Sequence, residues 1–315
     1  MNSSVAEAPG AARLTARQAG IARLPIFLLE RVGWYIQLTK PRIILLFALT
    51  GMSALVVEGS VPATSTRFWM ISLGILLTGA CANALNQFFD RDIDAVMERT
   101  RSKRPLPQGQ ISPASALIFS MILGALSVAI LNAYSNLHTI FWGLFTIAYY
   151  VGFYTLWLKR RTPYNIVIGG AAGATAPLMG WAAATGHLSV ASVIMFLIVF
   201  VWTPPHFWAL ALCLKDEYAG VSVPMLPVVK GELRTRQEIY WYTVVLVPLT
   251  LTLYFTGDCG KIYLGVASLT GLEFLRRAYN LKQRYTRPES WQLFGYSIAY
   301  LLLLFIVMIV DARWR

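Results

Sequence analysis

Residues 68–107 read FWMISLGILLTGACANALNQFFDRDIDAVMERTRSKRPLP. The part from 68 to 89 is apolar over about the 20 residues a helix needs to cross a bilayer. It ends on three oxygen-bearing side chains, Asn86, Asp90 and Asp94, and runs directly into four cations, Arg99, Arg101, Lys103 and Arg104. The reading of the whole chain follows from that sequence of events: an apolar span that delivers acids, then bases, to one membrane face.

Comparable apolar runs recur at roughly 43–58, 114–134, 139–158, 164–184, 189–214, 239–257, 260–279 and 291–310. Charged residues make up 13% of the chain and mean hydropathy is +0.56, whereas a soluble domain carries roughly 25% charge. The fold expected is all-α: a polytopic membrane protein of about nine transmembrane helices around a central cavity open toward the cytoplasmic side.

A net charge of +12 would point to nucleic acid in a soluble protein. Here its distribution excludes that class. All of the Lys and Arg except Arg67, Lys261, Arg313 and Arg315 fall in the N-terminal segment or after the second, fourth, sixth and eighth apolar runs. Cations concentrated on one side mark the cytoplasmic face, so a multi-pass protein with a cytoplasmic N-terminus is expected. Residues 1–33, with Arg13, Arg17, Arg23 and Arg31 among Ala and Ser, read as a basic, disordered cytoplasmic tail on a bacterial inner-membrane protein. A mitochondrial transit peptide is the other reading. Residues 34–315 form the membrane domain, with Trp34, Tyr35, Lys40 and Arg42 as interface anchors for its first helix. Cys81, Cys213 and Cys259 lie far apart and read as small apolar fillers.

Asn86, Asp90 and Asp94 are spaced four apart, and four residues advance a helix by only about 40°. The three groups therefore share one face. Asp92 falls on the other side, where Arg91 or Arg99 is its expected partner. A carboxylate stripe in a soluble protein is usually a solvated face, but at the end of a membrane span such groups are costly and usually functional. Carboxylate and amide oxygens suit Mg²⁺, which accepts the rest of its shell from a phosphate ligand, while Arg and Lys suit the remaining phosphate oxygens. The stretch reads as a metal-diphosphate site.

A second acidic pair, Asp216 and Glu217, follows the sixth run. Four spans separate it from the first, so both emerge on one face, as in membrane folds built from two repeated halves. Adjacent residues diverge by about 100° on a helix, and Asp216 is the better metal ligand candidate of the two. Upstream, WTPPHFWAL carries Pro204, Pro205 and His206; the prolines are expected to break the helix and set His206 at a kink among aromatics. Lys159, Arg160 and Arg161 close the fourth run; they serve mainly as anchors, with Lys159 placed to reach a diphosphate. Tyr150 and Tyr154, four apart, can line an aromatic wall facing a cation, though core packing explains them equally. Gly169, Gly170 and Gly173 are expected to allow close helix packing.

Together these segments resemble the intramembrane UbiA-type prenyltransferase superfamily from about residue 34 onward. The resemblance rests on NQFFDRDIDAVMERTRSKRPLP, LKRRTPYNIVIGGAAGA, WTPPHFWAL and PMLPVV. Within the superfamily, the PPHFW segment sets the chain apart from relatives that prenylate hydroxybenzoates and is similar to the branch that acts on heme. The resemblance implies Mg²⁺ and farnesyl diphosphate held by Asn86, Asp90 and Asp94, with Arg99, Lys103 and Arg104 on the phosphates. It further implies heme b as acceptor, oriented by His206, and a downstream heme-modifying membrane enzyme or terminal-oxidase assembly factor as partner. Two departures stand out: Glu217 occupies a position where aspartate is expected, and GATAP lacks an expected second proline. The competing readings are a prenyltransferase acting on a quinone precursor such as 4-hydroxybenzoate, and a cation transporter. The latter wants its ionisable groups near the bilayer midplane rather than gathered at one face.

Overall fold

The structure, a computed structural model, describes residues 29–314. These are helices joined by turns, with no strand among the described residues. Helix α1 covers 29–39 of the described chain, so residues 29–33 of the expected tail are helical; the remainder of that tail lies outside the described residues. The long helices are α2 (Pro41–Glu58), α3 (Thr66–Phe89), α6 (Pro113–Tyr134), α7 (Leu137–Ala148) with its π-helical continuation (Tyr149–Leu158), α8 (Asn165–Ala174) with α9 (Ala176–Thr185), α10 (Val190–Cys213), α13 (Gly231–Phe255), α14 (Lys261–Gln283) and α15 (Arg287–Ala312). Short helices α4 (Arg91–Val96) and α5 (Glu98–Arg101) follow α3, and α11 (Lys215–Gly220) and α12 (Leu226–Val229) follow α10.

Joining α7 to the π-helix and α8 to α9 gives nine long helical passes among the described residues, the number expected. Eight are long and apolar enough to cross a membrane. The ninth, α14, has the length but carries Glu273, Arg276, Arg277 and Lys282 in its second half. It is held by a buried stripe of Tyr263, Ala267, Gly271, Phe274, Ala278 and Leu281, three or four residues apart as one helix face requires, packed between α13 and α15. The chain is a multi-pass membrane protein. Its outward apolar residues, such as Ile118, Met121 and Ile122 on α6 and Leu269 and Leu272 on α14, are exposed, as a surface solvated by lipid tails allows.

Helices α2, α3, α6 and α7 pack on one another, α10, α13, α14 and α15 do likewise, and α8–α9 runs between the two groups while α15 meets α2. Lipid supplies no hydrophobic drive for such contacts, so close approach and polar seams carry them. A methyl group on Gly180 of α9 would overlap the Gly51 carbonyl of α2. Thr78 of α3 and Ser127 of α6 share a hydrogen bond at 2.7 Å, and Ser127 donates to the Gly74 carbonyl at 2.8 Å. Pro204 and Pro205 do not break α10, contrary to expectation; both lie buried inside one 24-residue helix. Its neighbours hold the helix together: Trp202 donates its indole N–H to the Ser297 carbonyl of α15 at 2.7 Å, and the region is fully packed by the α10, α13, α14 and α15 core.

At the opposite end from the acidic stripe, the buried Asp311 carboxylate accepts from the backbone N–H groups of Gly260 and Tyr263, pinning the start of α14 to the end of α15. Asp311→Ala strands those N–H groups. A loss of about 1–3 kcal/mol is expected, read as a lowered thermal midpoint in detergent with activity per folded molecule retained.

Candidate active site

Backbone hydrogen bonds from Asp90 N to the Asn86 carbonyl and from Asp94 N to the Asp90 carbonyl, both 2.9 Å, carry helical register across the junction of α3 and α4. The stripe therefore keeps its common face. All three residues are buried, at 3%, 2% and 3% exposure, which a solvated acidic face would not be. They line a polar cavity of about 110 Å³ whose other charged walls are Lys40, Arg99, Arg104 and Lys159. The basic groups outnumber the two carboxylates, so the cavity carries an excess of positive charge, the sign an anionic headgroup requires. A second cleft of about 650 Å³, between α2, α3 and α15, is almost wholly aliphatic and offers no chemistry.

Each charge is held in place. Lys159 meets Asp90 Oδ2 at 2.6 Å, and Arg104 pairs with Asp94. Asn86 gives Nδ2 to Asp90 Oδ2 at 2.7 Å and to Thr155 Oγ1 at 3.0 Å. Its Oδ1 accepts from Lys40 Nζ at 2.7 Å. Two atoms are left over: Asp90 Oδ1, a buried acceptor, and Arg99 Nε, a buried donor, have no hydrogen-bond partner. An unpaired carboxylate oxygen calls for a cation and an unpaired guanidinium N–H for an anion, and both residues line the same cavity.

Tyr150 and Tyr154 stack with ring centroids 5.5 Å apart and also line the cavity. A Cβ on Gly169 of α8 would overlap the Tyr154 ring, so the small residue there serves the aromatic wall directly. Gly170 in the same way admits Thr203, while Gly173 has open space around it. Gly169→Ala is expected to push Tyr154 out of place at an overpacking cost of about 1–3 kcal/mol and to lower turnover more than it lowers the amount of folded protein.

A profile described as the UbiA prenyltransferase family matches residues 44–308. The chain belongs to that family. It is a membrane-embedded prenyltransferase. The protein of Symbiobacterium thermophilum named protoheme IX farnesyltransferase is 46% identical over 279 residues, covering 88% of this chain and 93% of that one. The Gloeobacter violaceus protein of the same name is 48% identical over 279 residues, covering 88% and 91%. The fold is shared with a solved structure from work on a digeranylgeranylglyceryl phosphate synthase, TM-score 0.74 at 19% identity, covering 91% of this chain and all of that one. It is also shared with a UbiA homolog from Archaeoglobus fulgidus bound to DMAPP and Mg²⁺, TM-score 0.65 at 19% identity, covering 87% and 99%.

The cavity of this family member contains Asn86, Asp90, Asp94, Arg99, Arg104, Tyr150, Tyr154 and Lys159 as the sequence predicts. Arg101 and Lys103 are exposed instead; Arg101 pairs with Glu98. On the one-turn helix α5, Arg99 and Arg101 are about 200° apart, so only one can face inward. Asp216 is exposed and Glu217 accepts from the Arg99 backbone N–H at 3.2 Å. Neither acid lines the cavity; that motif sends Tyr218 there. No cluster of three or more His, Cys, Asp or Glu suited to a metal occurs among the described residues. His206 is sandwiched between Trp202 and Phe294, centroids 4.3 and 4.6 Å away, with Nδ1 2.7 Å from Ser297 Oγ. It packs in the seam of α10 and α15, and the cavity wall is formed by its neighbour Phe207. Asp92 pairs with Arg160 rather than Arg91 or Arg99. Burial raises its carboxyl, and the hydrogen bond from Arg160, backbone hydrogen bonds at Ile93 and Asp92 and the Arg160 charge together outweigh this and hold it below the usual range.

Sequence reasoning missed Lys40 and Thr155. Lys40 sits in a left-handed turn, φ 54°, between α1 and α2, and Gln87 Nε2 fixes that turn by donating to the Gln37 and Leu38 carbonyls at 3.0 Å. Burial and then the Arg104 charge push its ammonium down to about 7, against the pull of Asp90 and Asp94. The signal was present in the sequence: a cation directly before Pro41, in a loop returning to the acidic face. Burial likewise pushes the Tyr218 phenol up, against Arg99 and Arg104.

Proposed function

We propose that this chain transfers the farnesyl group of farnesyl diphosphate to a vinyl group of protoheme IX (heme b), with addition of water, giving heme O. The reading rests on the pair of orphaned atoms, Asp90 Oδ1 and Arg99 Nε, which ask for a cation and an anion in one cavity. The naming of the heme-farnesylating relatives, matched over 88% of this chain, supports the acceptor. A cavity of about 110 Å³ suits a phosphate headgroup; ligand pockets that enclose a whole small molecule run about 300–1,000 Å³.

Asn86, Asp90 and Asp94 fit Mg²⁺, since they offer oxygen ligands and one of those oxygens is unpaired. When bound, the metal supplies positive charge against the developing charge of the leaving diphosphate. Lys40, Arg99, Arg104 and Lys159 would take the remaining phosphate oxygens, stabilising the charge that grows as the allylic C–O bond breaks and its electron pair leaves with the diphosphate. Tyr150 and Tyr154 would present ring faces to the farnesyl cation. The vinyl π electrons then form the new C–C bond, and water captures the resulting cation and sheds a proton. No protein nucleophile is needed. Asp216, Glu217, Arg101 and Lys103, which do not line the cavity, have no part in this scheme, and His206 would orient the acceptor from the seam of α10 and α15.

The basic end of the bundle would face the cytoplasm of a bacterial inner membrane. The apolar product would pass to another membrane protein that modifies heme or assembles an oxidase. The test is to incubate purified protein in detergent with Mg²⁺ and farnesyl diphosphate, offering heme b and 4-hydroxybenzoate in parallel, and to read products by mass spectrometry. Farnesylated, hydrated heme is expected. A prenylated benzoate would keep the cavity assignment and overturn the acceptor.

A further inference from the structure

The fourth pass changes register at Tyr149 and is π-helical to Leu158. In an α-helix five residues leave two side chains about 140° apart; the wider turn that comes with bonding from i to i+5 brings them nearer to one face. Lys159 N bonds the Tyr154 carbonyl at 2.9 Å, and Thr155 Oγ1 bonds the Tyr150 carbonyl at 2.8 Å. Tyr150 with Thr155 and Tyr154 with Lys159 thus form two such pairs, and this is how four residues of one helix reach the same site.

Thr155 is buried, 3% exposed, and its hydroxyl proton is committed to the Tyr150 carbonyl. Toward Asn86 it is therefore an acceptor only, and the group it meets has to be the amide nitrogen. The second amide hydrogen goes to Asp90 Oδ2. Lys40 Nζ lies on the other side and donates to Oδ1 at 2.7 Å. The amide is fixed from three directions, and its oxygen lies on the side of Lys40, which lines the same cavity.

Resting on the reading of Asn86 as a metal ligand, we propose that Thr155 is a positioning residue: placed by the π-helical register, it sets the Asn86 amide so that Oδ1 is presented to the metal. Without the hydroxyl, one amide N–H loses its partner and the side chain is free to turn. Partners of this kind behind a metal ligand typically change metal affinity by about 10- to 100-fold.

The test measures Mn²⁺ binding by electron paramagnetic resonance on the purified full chain in detergent, with inorganic diphosphate present and no prenyl acceptor. Thr155→Val is expected to weaken Mn²⁺ binding by about tenfold or more with an unchanged size-exclusion profile, and Thr155→Ser is expected to restore it. Thr155→Ala, which removes the same hydroxyl with less bulk, should match Thr155→Val and covers the case in which the valine variant does not fold. Wild-type affinity in Thr155→Ala, or failure of Thr155→Ser to rescue, overturns the positioning role. Absence of saturable Mn²⁺ binding in the wild-type protein overturns the metal reading itself, and this inference with it.

Discussion

Asp90→Asn is expected to lower prenyl transfer on the order of a thousandfold, the scale of losing a preorganised charge at a developing anion, while the protein still elutes as a folded species in detergent. Asp90 is the hub of the site. One of its oxygens binds both Lys159 and Asn86, and the other is buried without a partner. The asparagine keeps the shape and removes the charge that anchors Lys159 and offers itself to a metal. Product formation per folded molecule, measured by mass spectrometry, decides the matter. Activity within tenfold of wild type would remove Asp90 from the chemistry.

Two arginines in the same basic run should behave oppositely. Arg99→Gln is expected to raise the KM for farnesyl diphosphate by about 10- to 100-fold, the range for losing a hydrogen bond to a charged group, because the residue lines the cavity and its buried Nε has no partner. Arg101→Gln should leave KM unchanged, since that side chain is 59% exposed and paired with Glu98. Steady-state kinetics on the two variants side by side separate a diphosphate site from a general attraction of the basic loop for anions. Equal effects would favour the latter.

Legibility in the sequence followed how local the governing physics was. Nine passes could be counted because apolar length is written in the residues themselves, and even α14 was counted on its length. The face shared by Asn86, Asp90 and Asp94 was readable because helical register continues through the α3–α4 junction. The choice among Arg99, Arg101, Lys103 and Arg104 was not, since it depends on the extended residue Met97 (ψ 123°) between α4 and α5. Lys40 looked like an interface anchor because its role is created by a fold that returns it to residue 86. Thr155 was invisible to a reading in steps of 3.6, as the π-helix breaks that period. Asp216 attracted attention as a carboxylate, while its neighbour Tyr218 does the lining. The composition there announced charge, but packing selected the aromatic ring.

The charges in the second half of α14 set a limit on the bilayer that can surround this protein. From Lys261 to the residue before Glu273 the helix holds 12 residues, about 18 Å at 1.5 Å per residue, against a hydrocarbon thickness of about 30 Å. Arg276 is 60% exposed on the outer surface of that helix. Lipids along this side have to thin toward it, or the long arginine side chains have to reach outward to headgroups. The apolar length of this flank is therefore shorter than the hydrocarbon layer beside it, and the bilayer and the arginine side chains share the adjustment.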